Sequence, residues 1–533
     1  MAQQNIVLFY PRLGWMDTFI LDLPLSLVYV GDTCRKNGIE IRMFDQRVEG
    51  KTWKDKFLKL VDDDTILVGF SCMTGSPITH ALEATRLVKT HSPEITTVWG
   101  GYHPTICYES TMREPTIDYI VRGHGHDALH QLVQYLNKGG DLSAVEGLGW
   151  IDKAGELQLN PMPSKLSFPL LKDLSFEGIE MSNYTRFNYQ QRVYSLFTSF
   201  GCPHKCGFCF APIHYKNYKK RWYAYEPDAI IDHIEMAVEK FGAQYISILD
   251  EEFLIQRKRA ESIFQKSLDR GLDVEWGIRG IRVDDLYRAD DSFLELLKAV
   301  GVKQVMIGVE SGSPRMLKLM QKGITVEQTI SVNQRLAKNK IIIPSYNFMS
   351  GLPGETVEDL YQSVDLILQL LDDNPDASFS GMNQFQPYPG SDLYDLCVKA
   401  GFKEPKDLEG WAYSDTHFSA GETTAWLDKK VQNTLNAIQV SLMFSDNKVA
   451  RELGATGIGK SKQGNSKKGT RGRTLGLVFK MIPVLAGIYQ PVARWRLRHH
   501  FFSFLIEYKL YSFLSRRLGR IFSLPSQEKQ SFI

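Results

Sequence analysis

The chain has 533 residues, 43% hydrophobic and 23% charged, enough for two or three domains each with its own core. Seven cysteines without a disulfide-like framework, and an N-terminus lacking a basic region ahead of its first apolar run, fit a reducing cytoplasm and no cleaved leader. The formal net charge of +2 conceals an asymmetry: residues 447–533 hold 17 Lys and Arg against 3 Glu, while the remainder holds 46 against 58 Asp and Glu. The two parts are therefore expected to face different partners.

Residues 6–10 form a short apolar run that reads as a buried parallel strand. A helical pattern through Leu25, Leu27, Val28 and Val30 ends at Asn37-Gly38. Then come a strand at 39–45, a helix around 53–61, a strand at 66–70, a helix over 79–90, and strand-like runs at 96–101 and 118–121. This βα alternation predicts a doubly wound, Rossmann-like sheet over residues 1–135, with a ligand crevice outside the strand C-terminal ends. The loops at those ends are 71–75, 100–105 and 123–126. Their glycines (Gly75, Gly100, Gly101, Gly123, Gly125) let backbone approach a ligand, and hydroxyls such as Ser71 and Thr74 supply hydrogen bonds. No G-x-G-x-x-G follows the first strand, which speaks against a nicotinamide or flavin site.

Residues 136–190, with Asn137-Lys138-Gly139-Gly140 and a proline-rich stretch at 161–169, read as a linker with a short hairpin. A strand at 194–198 then runs into Cys202-Pro203-His204-Lys205-Cys206-Gly207-Phe208-Cys209. Three cysteines at C-x3-C-x2-C spacing can hold three irons of a 4Fe–4S cube. The fourth iron is left open to chelate a small molecule, which points to catalysis more than to electron transfer. The alternative is a zinc site with His204 or His214 as fourth ligand, although structural zinc more often uses two separated Cys/His pairs.

Five further strand-like runs, at 245–249, 274–278, 304–309, 341–349 and 378–386, are separated by amphipathic stretches of helix length. Six βα units over 191–400 predict a partial (β/α)6 barrel, whose working groups belong at the strand C-terminal ends. There stand Asp250-Glu251-Glu252, able to accept from an ammonium group, and Arg279 and Arg282, able to clamp a carboxylate. Glu310-Ser311-Gly312-Ser313, Gly351-Leu352-Pro353-Gly354-Glu355-Thr356 and Pro387-Tyr388-Pro389-Gly390-Ser391 end the later strands.

In this order the motifs resemble the radical S-adenosylmethionine (SAM) enzymes that carry a cobalamin-binding domain. Cys202, Cys206 and Cys209, with Phe208 before the third, look like their signature. The three later strand ends match E-S-G-S, G-L-P-G-E-T and P-x-P-G-[ST]. Gly100-Gly101-Tyr102-His103-Pro104-Thr105 matches the G-G-x-H-P-T loop, and Ser71 and Thr74 match the hydroxyl-bearing loop. The resemblance covers residues 1–400. It implies a 4Fe–4S cluster on the three cysteines, and SAM held by Phe208, Asp250, Glu251, Arg279, Arg282, Glu310 and Ser311. It also implies cobalamin held by Ser71, Thr74, Gly75, Gly100, Gly101, Tyr102, His103, Gly123 and Gly125.

The chain departs from the family twice. The D-x-H-x-x-G motif that supplies a histidine to cobalt elsewhere is absent, since Asp32-Thr33-Cys34 has Cys in place of His. Cobalamin without a histidine on cobalt is implied, with His103 as the competing candidate. Gly123-His124-Gly125-His126 replaces the usual G-E-G-E, and His124 and His126 read as surface or turn histidines.

Residues 401–446, with Trp411, Tyr413, Phe418 and Trp426, are expected to close the barrel mouth or pack beneath it. Residues 447–473 read as a flexible basic linker and 474–533 as a basic amphipathic helical tail. Lys480, Pro483 and Pro491 interrupt 475–493 and argue against a membrane span. Phe501, Leu505, Tyr508, Leu518 and Ile521 among Arg498, Lys509, Arg516, Arg517 and Arg520 read as an interfacial helix on an anionic membrane. A helix packed on the chain's own acidic domains is the alternative.

The family mechanism implies reductive cleavage of SAM, hydrogen abstraction by a 5′-deoxyadenosyl radical and methyl delivery from methylcobalamin. The expected function is therefore a C-methyltransferase, with a lipophilic substrate (polycyclic lipid or tetrapyrrole) suggested by the tail. An oxidative cyclase with the same cofactors and a cobalamin-binding sensor lacking catalysis are the alternatives. A reductant such as flavodoxin or ferredoxin is the implied partner. The expected location is the cytoplasm, with the tail on the inner face of the membrane. Nucleic acid is disfavoured, because no RNA module accompanies the basic tail.

Overall fold

The computed structural model describes residues 4–14, 17, 22–184, 192–340, 342–412, 426–445, 488–502 and 508–509. The first strand shows why the chain begins as it does. In β1 (Asn5–Tyr10), Val7 and Phe9 enter one apolar cluster with Phe44, Phe57 and Phe70. Ile6 and Leu8 enter another with Leu27, Leu129 and Leu132. A strand apolar on both faces needs cover on both, and helices on either side of the sheet supply it.

The sheet comprises β1, β2 (Glu40–Asp45), β3 (Thr65–Ser71), β4 (Thr96–Gly100), β5 (Tyr119–Val121), β6 (Leu148–Ile151) and β7 (Leu157–Leu159), in the order β2-β1-β3-β4-β5-β6-β7. β1 to β5 are parallel, and β6 and β7 add antiparallel at one edge. Strand order reverses between β1 and β3, the place where such sheets open a ligand crevice. The hairpin expected inside a linker at 136–190 is thus part of the first sheet.

The second body is a six-stranded, all-parallel sheet of β8 (Val193–Leu196), β11 (Tyr245–Ile248), β12 (Glu275–Arg282), β13 (Val302–Glu310), β14 (Ile343–Ser350) and β15 (Ser378–Gln384), paired in sequence order. A small antiparallel pair, β9 (Ser199–Gly201) and β10 (Trp222–Ala224), braces the loop after β8. All six strand-like runs of the sequence are barrel strands, and helices such as Val357–Asp373 return the chain between them.

The described parts of 401–446 divide between the two bodies. The helix Leu408–Ala412 packs on the helix Ser76–His91 of the first body, where Arg86 bridges Glu409 and Glu114 and Trp411 is fully buried. Trp426 and the helix Lys429–Met443 go to the barrel: Trp426 Nε1 donates to the Gly351 carbonyl at the end of β14 (2.7 Å), and the helix packs against β15. Tyr413 and Phe418 lie outside the described residues.

Residues 488–498 are helical and lie on the barrel helix Val357–Asp373. Ala493 and Leu497 are fully buried, Arg494 and Arg498 both pair with Asp372, and His500 bonds Asp365 (2.8 Å) and stacks on Tyr361. This part of the tail packs on the chain's own acidic surface, as the alternative reading holds. Residues 446–487, which include the basic linker, and 510–533, with Leu518 and Ile521, lie outside the described residues, as does Leu505. Among the described residues no helix is long and apolar enough to cross a membrane.

Candidate active site

The cysteine loop is fixed at both ends before any ligand is considered. At its start, Asp250, just beyond β11, accepts from Thr198 N (2.7 Å), Thr198 Oγ1 (2.5 Å) and Ser199 Oγ (2.5 Å). Arg259 donates to the Thr198 and Tyr225 carbonyls from the other side. Gly201 has φ +87°, and a Cβ there would collide with the Arg221 carbonyl, so only glycine lets β9 lie against β10. At its end, Gly207 N donates to Met320 O (2.9 Å) and Leu393 N to Gly207 O (3.1 Å), tying the loop to the segments after β13 and β15.

Burial, with the other thiols as neighbours, pushes Cys202 up to about 12 and Cys209 up to about 11. Three thiols on one pinned loop, each within electrostatic reach of another, are a donor set suited to a thiolate-held cluster; loading it must release protons. Among the described residues no three His, Cys, Asp or Glu side chains gather around a single-ion site, the three cysteines included. His214 has both ring nitrogens unpartnered in a buried position, and burial lowers it to about 4.

The structure redistributes the residues expected around SAM. Asp250 accepts three bonds from the loop it anchors, so it positions the cysteines. Arg279 pairs with Asp22 of the first body (2.7 Å), and Ser195 Oγ reaches the same carboxylate (3.0 Å), making Arg279 a bridge between bodies. Ser311 is fully buried and bonds Ser363, turned toward the helix behind it.

Four of the expected residues do converge on the cysteines. Glu251 accepts from Gly201 N (3.1 Å) and Tyr215 Oη (2.8 Å), and burial raises it to about 7. Arg282 directs Nη1 at Cys206 Sγ (3.6 Å). Glu310, held at φ +70°, accepts from Lys322 Nζ (2.7 Å), and that ammonium lies 5.9 Å from the Phe208 ring. Sequence reasoning missed Lys322, a lone lysine on a turn with no period to mark it. Glu252, read in the sequence with Asp250 and Glu251 as able to accept from an ammonium, is a buried acid raised to about 8.

The loops of the first sheet form a facing edge. Cys72 N donates to Gly100 O (2.8 Å) and His103 N to Cys72 O (3.2 Å), stitching the loops after β3 and β4. Gly75, Gly101 and Gly123 all have positive φ; a Cβ on Gly101 would stand 2.7 Å from Cys72 O. A Cβ on Gly100 would meet only Val121 O at 3.7 Å, leaving a bare backbone surface beside Ser71. A Cβ on Gly125 would press on the Val121 side chain, so that glycine serves local packing.

His103 is fully buried with Nδ1 3.1 Å from Thr74 Oγ1. Burial lowers it to about 3, so its ring is neutral, and its Nε2 has no partner. Beside it the Trp411 Nε1 is also unpartnered, the rings lying 5.9 Å apart. Bare backbone, hydroxyls and an orphaned imidazole nitrogen suit a large amide-bearing ring such as cobalamin. Cys34, where a cobalt-ligating histidine stands elsewhere, is fully buried in the apolar core.

The two edges meet. Tyr102 lies 4.1 Å from Phe210, the residue after Cys209. His124 Nε2 is 3.3 Å from Tyr215 Oη, and its ring packs among Phe168, Phe200, His214 and Tyr218. His124, half-buried in the bend before the helix His126–Lys138, is therefore a seam residue. His126 is mostly buried next to Ser167.

Comparison with known proteins agrees with this arrangement. Residues 23–133 match the B12 binding domain and residues 196–367 the radical SAM superfamily. An uncharacterized methyltransferase of Pyrococcus horikoshii is 29% identical over 378 residues, covering 70% of this chain and 78% of its own. The anaerobic magnesium-protoporphyrin IX monomethyl ester cyclase of Rubrivivax gelatinosus is 30% identical over 333 residues, 61% of this chain and 57% of its own. The solved structure of the cobalamin-dependent SAM radical enzyme OxsB, with aqua-cobalamin and SAM bound, has the same fold. Its TM-score is 0.66 at 19% identity, over 98% of this chain and 76% of that one.

Proposed function

This chain belongs to the radical SAM superfamily and carries a B12-binding domain ahead of its radical SAM domain; on that premise we propose that it is a C-methyltransferase. Its substrate carbon is unactivated, in a lipophilic molecule of the polycyclic lipid or tetrapyrrole class. It is an enzyme whose cofactors are a 4Fe–4S cluster, SAM and cobalamin. The observation that carries the reading is the opposition of the two edges, with Tyr102 against the residue that follows Cys209.

When bound, the cluster with SAM supplies a carbon-centred radical and cobalamin supplies the methyl group. Cys202, Cys206 and Cys209 would hold the cluster, with Asp250 and Arg259 keeping their loop in place. Glu251 and Glu252 follow Asp250 at the same strand end and would accept from the SAM ammonium. Ser71, Thr74, Gly75, Gly100, Gly101, Tyr102, His103 and Gly123 would hold cobalamin. The ring cluster of Tyr102, Phe210, His124, His214 and Tyr215 excludes water from the seam between them.

Mass spectrometry of the SAM products after anaerobic cluster reconstitution tests the reaction. Methylation gives S-adenosylhomocysteine together with 5′-deoxyadenosine. Oxidative cyclisation, the second reading, gives only 5′-deoxyadenosine; the 30%-identical cyclase favours it. Uptake of cobalamin without SAM cleavage would leave the sensor.

A low-potential flavodoxin or ferredoxin in the cytoplasm is the proposed electron donor. The outer face of the C-terminal helix supports contact with an anionic membrane. Ile488, Val492, Trp495 and Phe501 are exposed there while the inner face is docked, and Arg498 lies nearby. Vesicle sedimentation of the Trp495→Glu and Val492→Glu variants tests it; partitioning equal to the parent protein ends it.

A further inference from the structure

Two buried cations stand behind the cysteine loop. Arg282 places Nη1 3.6 Å from Cys206 Sγ, while its Nε bonds Asp284 (2.9 Å) and its Nη2 the Lys322 carbonyl (2.5 Å). The same Lys322 turns its ammonium to Glu310 (2.7 Å) over Phe208. The two side chains are 8% and 7% exposed. Room for the second pair comes from Gly308, where a Cβ would stand 2.7 Å from Lys322 Nζ and collide with the Glu310 carboxylate.

Each cation has a counter-ion, yet both have Cys206 among the groups that favour their charged forms. The Arg282 pair thus aims its positive end at the Cys206 sulfur, and the Lys322 pair stands over Phe208, two residues further along the loop, within electrostatic reach of the same cysteine. Such an arrangement is more than the fold needs, because replacing buried ion pairs by apolar packing is often neutral or stabilising.

We propose that Arg282 and Lys322 are positioning residues that set the reduction potential of the cluster held by Cys206. The inference rests on the proposed cluster site. A cluster that takes one electron from a low-potential one-electron donor gains one negative charge, with no proton moved and no bond made. Positive ends fixed beside its sulfur ligand favour that charged product, as does an N–H aimed at the sulfur.

The test is a redox titration of the reconstituted full-length protein followed by electron paramagnetic resonance, without SAM, using dithionite as donor. Iron and sulfide content come first: a parent protein that assembles no cluster overturns the site itself and the inference with it. With the cluster present, the double variant Lys322→Met/Glu310→Gln removes one ion pair without orphaning a carboxylate. At a fixed potential its ratio of reduced to oxidised cluster should fall about tenfold, 59 mV for a one-electron couple. Arg282→Lys, which keeps the charge but loses the N–H to sulfur, should shift the same way by less. Lys322→Arg should stay within a factor of about two to three of the parent. Unchanged potentials in both the double variant and Arg282→Lys overturn the proposal, including the case where only SAM affinity falls. That case would make Lys322 a clamp for the SAM carboxylate.

Discussion

The two edges that face each other are built from different materials. The barrel edge carries thiols, acids and cations, and the charged ones are matched: Asp250 by two hydroxyls and an amide, Lys322 by Glu310, Arg282 by Asp284. The edge of the first sheet is made of glycine backbone, the Thr74 hydroxyl, Tyr102 and neutral imidazoles. The contrast follows what each edge would hold. A thiolate-bound cluster and a zwitterionic SAM need counter-charges prepared in a low-dielectric site, where unpaired charge is costly. A broad ring with amide arms needs close backbone approach, which side chains would block. One half is organised by charge and the other by the absence of bulk.

The strongest way to break this division is at the thiols. Cys202→Ala, Cys206→Ala or Cys209→Ala should abolish the cluster absorbance and SAM cleavage while leaving cobalamin uptake intact. Loss of cobalamin in the same variants would mean that the two edges are one site. Asp250→Asn comes next. Asn sets an NH2 group against donors where both Asp250 oxygens now accept. That should cost on the order of 3 kcal/mol of barrel stability, read by thermal unfolding, and lower cluster loading with it. The mirror image is Gly101→Ala. Its φ of +102° and the Cys72 carbonyl 2.7 Å from the added Cβ make alanine strained by about 1–2 kcal/mol. Cobalamin affinity should fall about tenfold by absorbance titration, with iron content unchanged.

What the sequence allowed and what it hid divide along the same physical line. Strands such as β1 and β13 announce themselves because burial on two faces leaves an apolar run, and the cysteine triad is a local spacing. Pairings made by topology leave no such trace. Glu409 meets Arg86 across 323 positions and Arg282 meets the Lys322 carbonyl across 40, so neither the clasp at 408–412 nor the cation behind Cys206 has a period to read. Asp250 stands out as an acid at a strand end; only the positions of Thr198 and Ser199 show that it also anchors the loop. His124 lies in a bend, and the rings that pack against it are distant in sequence, so the sequence showed only the bend.

Acid and base should separate the halves further. Glu355, in the turn after β14, is buried and raised to about 8, so the folded barrel binds its proton more tightly than the unfolded chain does. The stability it contributes is complete below its ordinary 4.5 and is lost as pH rises through 8. His103 is lowered to about 3 by burial, so its contribution is complete above its ordinary 6.5 and is lost as pH falls from there toward 3. In the metal-free, cobalamin-free protein, Glu355→Gln should flatten the alkaline limb of the thermal stability profile by on the order of 1 kcal/mol. His103→Gln should flatten the acid limb, leaving the alkaline one unchanged. His214 and His233, both lowered to about 4, will keep part of the acid limb in that variant.

The smallest effect is expected where the C-terminal helix meets the barrel. Its charged contacts look abundant, but Arg498 and Asp372 are 54% and 43% exposed, and an exposed pair contributes about 0.2–1 kcal/mol and is screened by salt. Arg498→Ala should therefore cost about 0.5 kcal/mol or less, and the difference from the parent protein should vanish at high ionic strength. What holds the helix down is burial of Ala493, Leu497 and Phe502 against the barrel, which salt strengthens slightly. A salt-insensitive loss above about 1 kcal/mol in Arg498→Ala would place the docking of the tail with the charge-organised half of the molecule. A small, salt-sensitive loss makes it an apolar contact that happens to lie on an acidic helix.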